Sequence, residues 1–159
     1  MRNHGGTRQY IHDWVGGNFR LDTIQAAGLL VKLPYLEKWS AQRRENADLY
    51  NSLFADCEDV QTPVVAEDNM SIFNQYVVRV PRRDELREHL RSHDVGHSVY
   101  YPLSLHLQPC FQGLGYAKGD FPESEKASEE TIALPIYPEL TADMIEYVAE
   151  TVKSFVKSF

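Results

Sequence analysis

The chain has 159 residues, 43% hydrophobic and 25% charged. That is ordinary composition for one globular domain and excludes wholesale disorder. It carries 16 Lys and Arg against 23 Asp and Glu, a net charge of −7, which argues against a general nucleic-acid binder with a basic face. Two cysteines, Cys57 and Cys110, cannot build a disulfide framework. No apolar run approaches the roughly 20 residues of a membrane span, and residues 1–6 lack the apolar core of a signal peptide. The expectation is a soluble, cytoplasmic protein with no nucleic acid and no membrane as partner.

Residues 1–20 have no clear period and are rich in Gly, His and aromatic residues. They read as a segment held by something else. From Leu21 the pattern becomes helical. Leu21, Ile24, Gly28, Val31 and Tyr35 form one stripe, and Leu29, Leu33 and Leu36 form its neighbour, with Trp39 one turn on. Pro34 should kink or divide this helix near Leu33. The spacing predicts a long, bent helix over 21–55, with Ile24, Val31, Leu33, Leu36 and Trp39 facing a sheet. A polar linker is expected near 56–71, with a short extended piece at 60–63. Residues 74–80 (NQYVVRV) alternate and are β-branched, so they predict a strand ended by Pro81. A helix over 82–93 follows, then Gly96 as a stop and a second strand over 97–101. Loop residues 102–122 lead to a short charged helix at 123–130 and a third strand at 131–134. Thr141 is an N-cap for a last helix that turns Met144, Ile145, Val148, Val152 and Phe155 inward. The order predicts an α+β fold, a small antiparallel-type sheet covered by helices.

Few residue clusters rise above packing. His89, His93 and His97 recur every four residues. Gly96 should end the helix before His97, and neither carboxylate nor cysteine completes a set, so no metal site is expected. Ser98, Ser104 and Ser124 lack a G-x-S-x-G context. Gly16-Gly17-Asn18 lies just ahead of a helix, where backbone N–H groups suit an anion and an Asn amide can donate. A plain turn explains the same residues equally well.

Blocks of sequence in a fixed order carry more. Arg2-Asn3-His4-Gly5 is followed by Gly17-Asn18-Phe19-Arg20-Leu21-Asp22 and Ile24-Gln25-Ala26-Ala27, then by Lys32-Leu33, Arg43, Ala47 and Tyr50. Further on come Tyr100-Tyr101-Pro102-Leu103-Ser104-Leu105-His106, then Gly119-Asp120-Phe121-Pro122 with Glu125, then Ala133-Leu134-Pro135-Ile136. Together these resemble the C-terminal portion of the DegT/StrS family of sugar aminotransferases, over nearly the whole chain. The resemblance implies a small domain like the C-terminal domain of fold-type I pyridoxal-phosphate (PLP) aminotransferases, over 21–159. It also implies that residues 1–20 normally pack on a large cofactor domain. Such enzymes are homodimers. They move an amino group from glutamate to a keto carbon of a nucleotide-linked sugar, for surface polysaccharides (lipopolysaccharide among them) or sugar antibiotics.

The resemblance also assigns residues. Asn18 matches the family Asn that reaches the PLP phosphate of the partner subunit. His106 matches a His near the sugar-nucleotide pocket, with Tyr101 beside it, and Tyr10 and His12 match an aromatic/His stretch near the site. Arg20 and Asp22 should pin the loop to the helix. None of Lys32, Lys38, Lys118, Lys126, Lys153 and Lys157 matches the family's Schiff-base lysine, which lies upstream of the Arg2 block. The expectation is therefore no catalytic residue and no covalently bound PLP on this chain, and no transamination by it alone. The alternative reading is a stand-alone, non-catalytic module that binds a sugar nucleotide or a protein partner.

Overall fold

The computed structural model describes residues 1–158. The chain divides into two compact units, Met1–Glu37 and Lys38–Phe159, so the first unit takes in more than the twenty residues set apart in the sequence. It holds strands β1 (Gly6–Arg8) and β2 (Ile11–His12), helix α1 (Thr23–Lys32) and a 3-10 turn over Leu33–Tyr35. Helix α2 (Leu36–Phe54) then leads into the second unit, which holds β3 (Tyr76–Arg79), α3 (Arg83–Ser92), α4 (Pro122–Glu130), β4 (Thr131–Leu134) and α5 (Ala142–Val156). Among the described residues, no helix is long and apolar enough to cross a membrane.

In the second unit β3 and β4 pair antiparallel, with Tyr76 opposite Leu134 and Val78 opposite Ile132. Single bridges extend this pair on both sides, Gln61 to Arg79 and Ser98 to Ala133. The core gathers Ala47, Tyr50 and Phe54 from α2, Leu86 and Leu90 from α3, and Ile145, Val148, Val152 and Phe155 from α5. Tyr50 and Tyr76 stack with centroids 4.8 Å apart, a geometry that adds to their area burial. Arg83, buried at the start of α3, donates to the carbonyl oxygens of Ser128 and Thr131 at 3.0 and 2.9 Å. Those carbonyls end α4 and have no helical partner, so the guanidinium completes that terminus.

Several expectations need correction, but Pro34 acts as expected: it divides the helical stretch over 21–55 at the Leu33–Tyr35 turn. Its first half supplies no core: Ile24 is 89% exposed, Val31 71% and Leu33 61%, with Leu36 exposed as well. Only Trp39 of that predicted face is partly buried. The buried face of α2 lies further along, in the polar-looking run ending at Tyr50. The strand predicted over 97–101 reduces to the Ser98–Ala133 bridge. The 102–122 loop contains 3-10 turns at Leu105–Leu107 and Pro109–Leu114. Met144 points outward, while Val148, Val152 and Phe155 are buried as expected. Thr141 does cap α5, its hydroxyl accepting from the Met144 N–H.

Candidate functional site

Asn18, Tyr10 and His12 lie in one folded-back segment. Asn3 and Asn18 pair as an antiparallel bridge. His4 N–H donates to Gly17 O, and Phe19 N–H donates to Arg2 O, each at 2.8 Å. Two glycines allow the runs to touch. Gly5 has φ +68°, and a Cβ there would sit 1.8 Å from the Trp14 carbonyl oxygen. A Cβ on Gly16 would sit 2.5 Å from the Gly5 nitrogen. The hairpin of β1 and β2 carries Tyr10 in its turn, exposed and at φ +64°. His12 Nδ1 lies 2.9 Å from the His4 carbonyl oxygen.

Asn18 has one end committed and one open. Its Oδ1 accepts from Arg20 Nε at 2.9 Å and from the Arg20 N–H at 3.3 Å. Arginine offers only donors, so the oxygen must face it. The Nδ2 amide then faces away, and among the described residues it donates to nothing. A free side-chain amide of this kind can donate to an anion such as phosphate.

Tyr101 and His106 belong to the second unit. Tyr101 is 74% exposed. It lines a cavity of about 310 Å³ with Ser104, Gln108, Ser124, Ser128 and Thr131 among its other walls. Tyr100, Leu103, Leu105 and Ala127 complete it, so its lining is largely apolar with a few hydroxyls and one amide, and it carries no charged side chain. His106 turns inward instead. Its Nε2 lies 3.0 Å from Glu125 Oε1, and both side chains are nearly out of solvent. The Phe121 ring packs on the imidazole at 4.8 Å between centroids.

Glu125 is the residue that sequence reasoning did not assign. Its carboxylate also accepts from the Gly119 N–H, at 2.8 and 3.0 Å to its two oxygens, and from the Phe121 N–H at 3.4 Å. These contacts hold the Glu125 carboxyl below its ordinary value, the Gly119 N–H contributing most and His106 adding to it, against desolvation that pulls the other way. Glu125 thus ties the Leu105–Leu107 turn, the Gly119 loop and the start of α4 together. A carboxylate reaching back over a first helical turn is the capping-box device. Here it comes from one position later than the usual motif, which hides it in the sequence.

Of the side chains present, the open Asn18 Nδ2 is a donor of the type a PLP phosphate takes. No lysine suits the cofactor's carbonyl end, since a condensing amine works from a desolvated pocket. Lys118, Lys126 and Lys153 are ion-paired with carboxylates, while Lys32, Lys38 and Lys157 lie exposed. The described residues hold no cluster of three His, Cys, Asp or Glu side chains that could bind a metal.

An antiparallel pair covered by helices, preceded in the chain by a glycine-tied hairpin, is an α+β fold. The chain belongs to the DegT/DnrJ/EryC1/StrS aminotransferase family, whose profile matches residues 1–153. It is 43% identical over 161 residues to the "Pleiotropic regulatory protein" of Geobacillus stearothermophilus, covering 100% of this chain and 43% of that protein. It is 33% identical over 157 residues to the dTDP-3-amino-3,4,6-trideoxy-alpha-D-glucose transaminase of Streptomyces venezuelae, covering 99% of this chain and 41% of that protein. The crystal structure of S. venezuelae DesV superposes with a TM-score of 0.92 at 33% identity, over 98% of this chain and 42% of that one. A family aminotransferase from Brucella abortus gives 0.86 at 33% identity, over 96% and 40%. The chain therefore spans about two fifths of the length of the relatives it matches.

Proposed function

We propose that this chain is the C-terminal part of a PLP-dependent nucleotide-sugar aminotransferase. The complete enzyme, a homodimer, would move an amino group from glutamate to a keto sugar destined for a surface polysaccharide or a sugar antibiotic. The carrying observation is the family match over residues 1–153. It is supported by relatives whose own names include a dTDP-sugar transaminase and a UDP-sugar aminotransferase. In this reading PLP, when bound, supplies an electron sink at the amino-bearing carbon.

The chain's own residues then bind and position. Asn18 Nδ2 donates to the cofactor phosphate across the subunit boundary, its orientation fixed by Arg20. Tyr101 and the uncharged, largely apolar cavity beside it suit the ring face of an uncharged group such as a pyranose, with the serine and threonine hydroxyls at its edge. His106 is held by Glu125 and shapes the loop beside Tyr101, and Tyr10 and His12, on the hairpin, are carried over from the family resemblance as substrate-contacting residues of the complete enzyme. With no lysine suited to the cofactor carbonyl, these 159 residues alone do not transaminate.

A chimera tests the reading. The N-terminal portion of the S. venezuelae transaminase is joined ahead of this chain, and PLP retention and turnover of a dTDP-keto sugar with glutamate are measured. The chimera should hold PLP and turn over, and its Asn18→Ala variant should lose PLP on gel filtration. Turnover by the 159-residue chain alone, in material free of other aminotransferases, would overturn the assignment of inactivity. Equal PLP retention by the Asn18→Ala variant would overturn the role of Asn18.

A further inference from the structure

A second cavity, of about 470 Å³, opens where the end of α3, the segment after β4 and the first turns of α5 meet. It shares no lining residue with the cavity at Tyr101, and its size is that of a small-molecule site. Its walls are the Tyr137 and Tyr147 side chains, Met144 and Leu140, with Asp94 and Asp143 as its only charged members. Both tyrosines are tethered by their hydroxyls. Tyr147 donates to the His93 carbonyl oxygen at 3.1 Å, and Tyr137 reaches Met144 Sδ at 3.8 Å. The rings therefore stand ready at the wall, with their polar tips already used. The two carboxylates have no hydrogen-bond or ion-pair partner among the described residues.

Asp94 is also an unusual choice for its place. It follows α3 at φ +56°, in a helix-ending turn where Val95 N–H bonds Leu90 O at 2.9 Å and Asp94 N–H bonds Arg91 O at 3.2 Å. That position normally takes glycine, which adopts the left-handed conformation without strain. The fold gains nothing visible from the carboxylate.

We propose that this cavity binds a small organic ammonium ion with an apolar or aromatic body. Aromatic rings attract cations electrostatically, the thioether and leucine suit an apolar body, and the two unpaired carboxylates select positive charge. Nothing lining the cavity would offset a positive charge with one of its own, so an anionic ligand is disfavoured.

The 159-residue chain carries three methionines, so methyl-labelled methionine gives one probe in the cavity and two controls, Met1 and Met70. Phenethylammonium is titrated against neutral 2-phenylethanol. The Met144 methyl signal should shift saturably with the amine, about tenfold more tightly than with the alcohol, while Met1 and Met70 stay still. Asp94→Gly and Asp143→Asn should each erode that preference several-fold. The Tm of each variant is measured alongside, so a loss of selectivity in a folded Asp94→Gly chain cannot come from unfolding. Equal binding of amine and alcohol would reduce the site to an apolar groove and overturn the proposal. So would a preference untouched by both substitutions, or no Met144 shift at millimolar amine.

Discussion

Arg43, on α2, donates from Nη1 to the carbonyl oxygen of Ile136 at 2.7 Å, joining residues 93 apart in sequence. The neighbours on the same helix face do likewise. Asn46 Nδ2 donates to the Tyr137 carbonyl oxygen at 2.8 Å, and the Tyr50 hydroxyl donates to that of Pro135 at 3.1 Å. Pro135, Ile136 and Tyr137 leave β4 with no further strand to pair them. Three side chains of α2 satisfy their carbonyls instead, as partly buried backbone requires. The Arg43…Tyr50 and Ala133-Leu134-Pro135-Ile136 blocks of the sequence are therefore two halves of one contact.

Replacing Arg43 should test that contact. Arg43→Met keeps the aliphatic stem and strands the Ile136 carbonyl, so it should destabilise the fold by about 1–3 kcal/mol. Urea unfolding measures the change. A loss below about 0.5 kcal/mol, the scale of an ordinary surface substitution, would mean water satisfies Ile136 as well as the guanidinium does.

Glu125 gives a pH signature. Its carboxyl is held low in the folded chain, chiefly by the Gly119 N–H, so the folded state favours the charged form. A depressed carboxyl contributes stability that is fully present above its unfolded value of about 4.3 and is lost as pH falls through the folded value. Glu125→Gln should therefore lower Tm near neutral pH, and the gap from the native chain should narrow below about pH 4. A gap that stays constant from pH 7 to pH 3 would show that packing, not charge, sets the effect.

In the second unit most of the chain order was legible because its cues are local, whereas the β1–β2 hairpin was not foreseen and the strand over 97–101 shrank to one bridge. Thr141, Pro81 and the alternation of 76–79 act within a few residues. The faces of the long helical stretch were not legible. An apolar stripe at Ile24, Val31 and Leu33 carries the same period whether its own domain covers it or not, and here it lies exposed. The true core face, Ala47 and Tyr50 through Phe54, sits inside a run of charged residues that masks its spacing. Among candidate site residues, the sequence blocks named Asn18 and His106. The Glu125 clamp stayed hidden, because three of its bonds go to backbone N–H groups and a fourth to a residue 19 positions away.

That contrast between stripes can be measured directly. Ile145 has no exposed surface, whereas Leu33 keeps 61% of its own. Ile145→Ala should destabilise by about 2–5 kcal/mol through lost burial and the cavity it leaves. Leu33→Ala should change stability by less than about 0.5 kcal/mol. Calorimetry of the two variants decides it, and a comparable loss at both positions would mean that the α1 stripe is covered in solution.

The turn after α3 offers a stabilising change. His93, Asp94 and Val95 end the helix with both bonds of a Schellman motif, and Leu90 and Val95 are buried together beneath it. Asp94 holds φ +56° without a hydrogen bond from its own side chain, so the fold bears a left-handed penalty that glycine avoids. Glycine also loosens the unfolded chain, which offsets part of the gain. The balance should leave Asp94→Gly more stable by about 0.5–1 kcal/mol, read as a rise in Tm and in the urea midpoint with an unchanged slope. A destabilised Asp94→Gly chain would show that the carboxylate supports the turn itself, and would remove the strain as a sign that Asp94 serves the cavity.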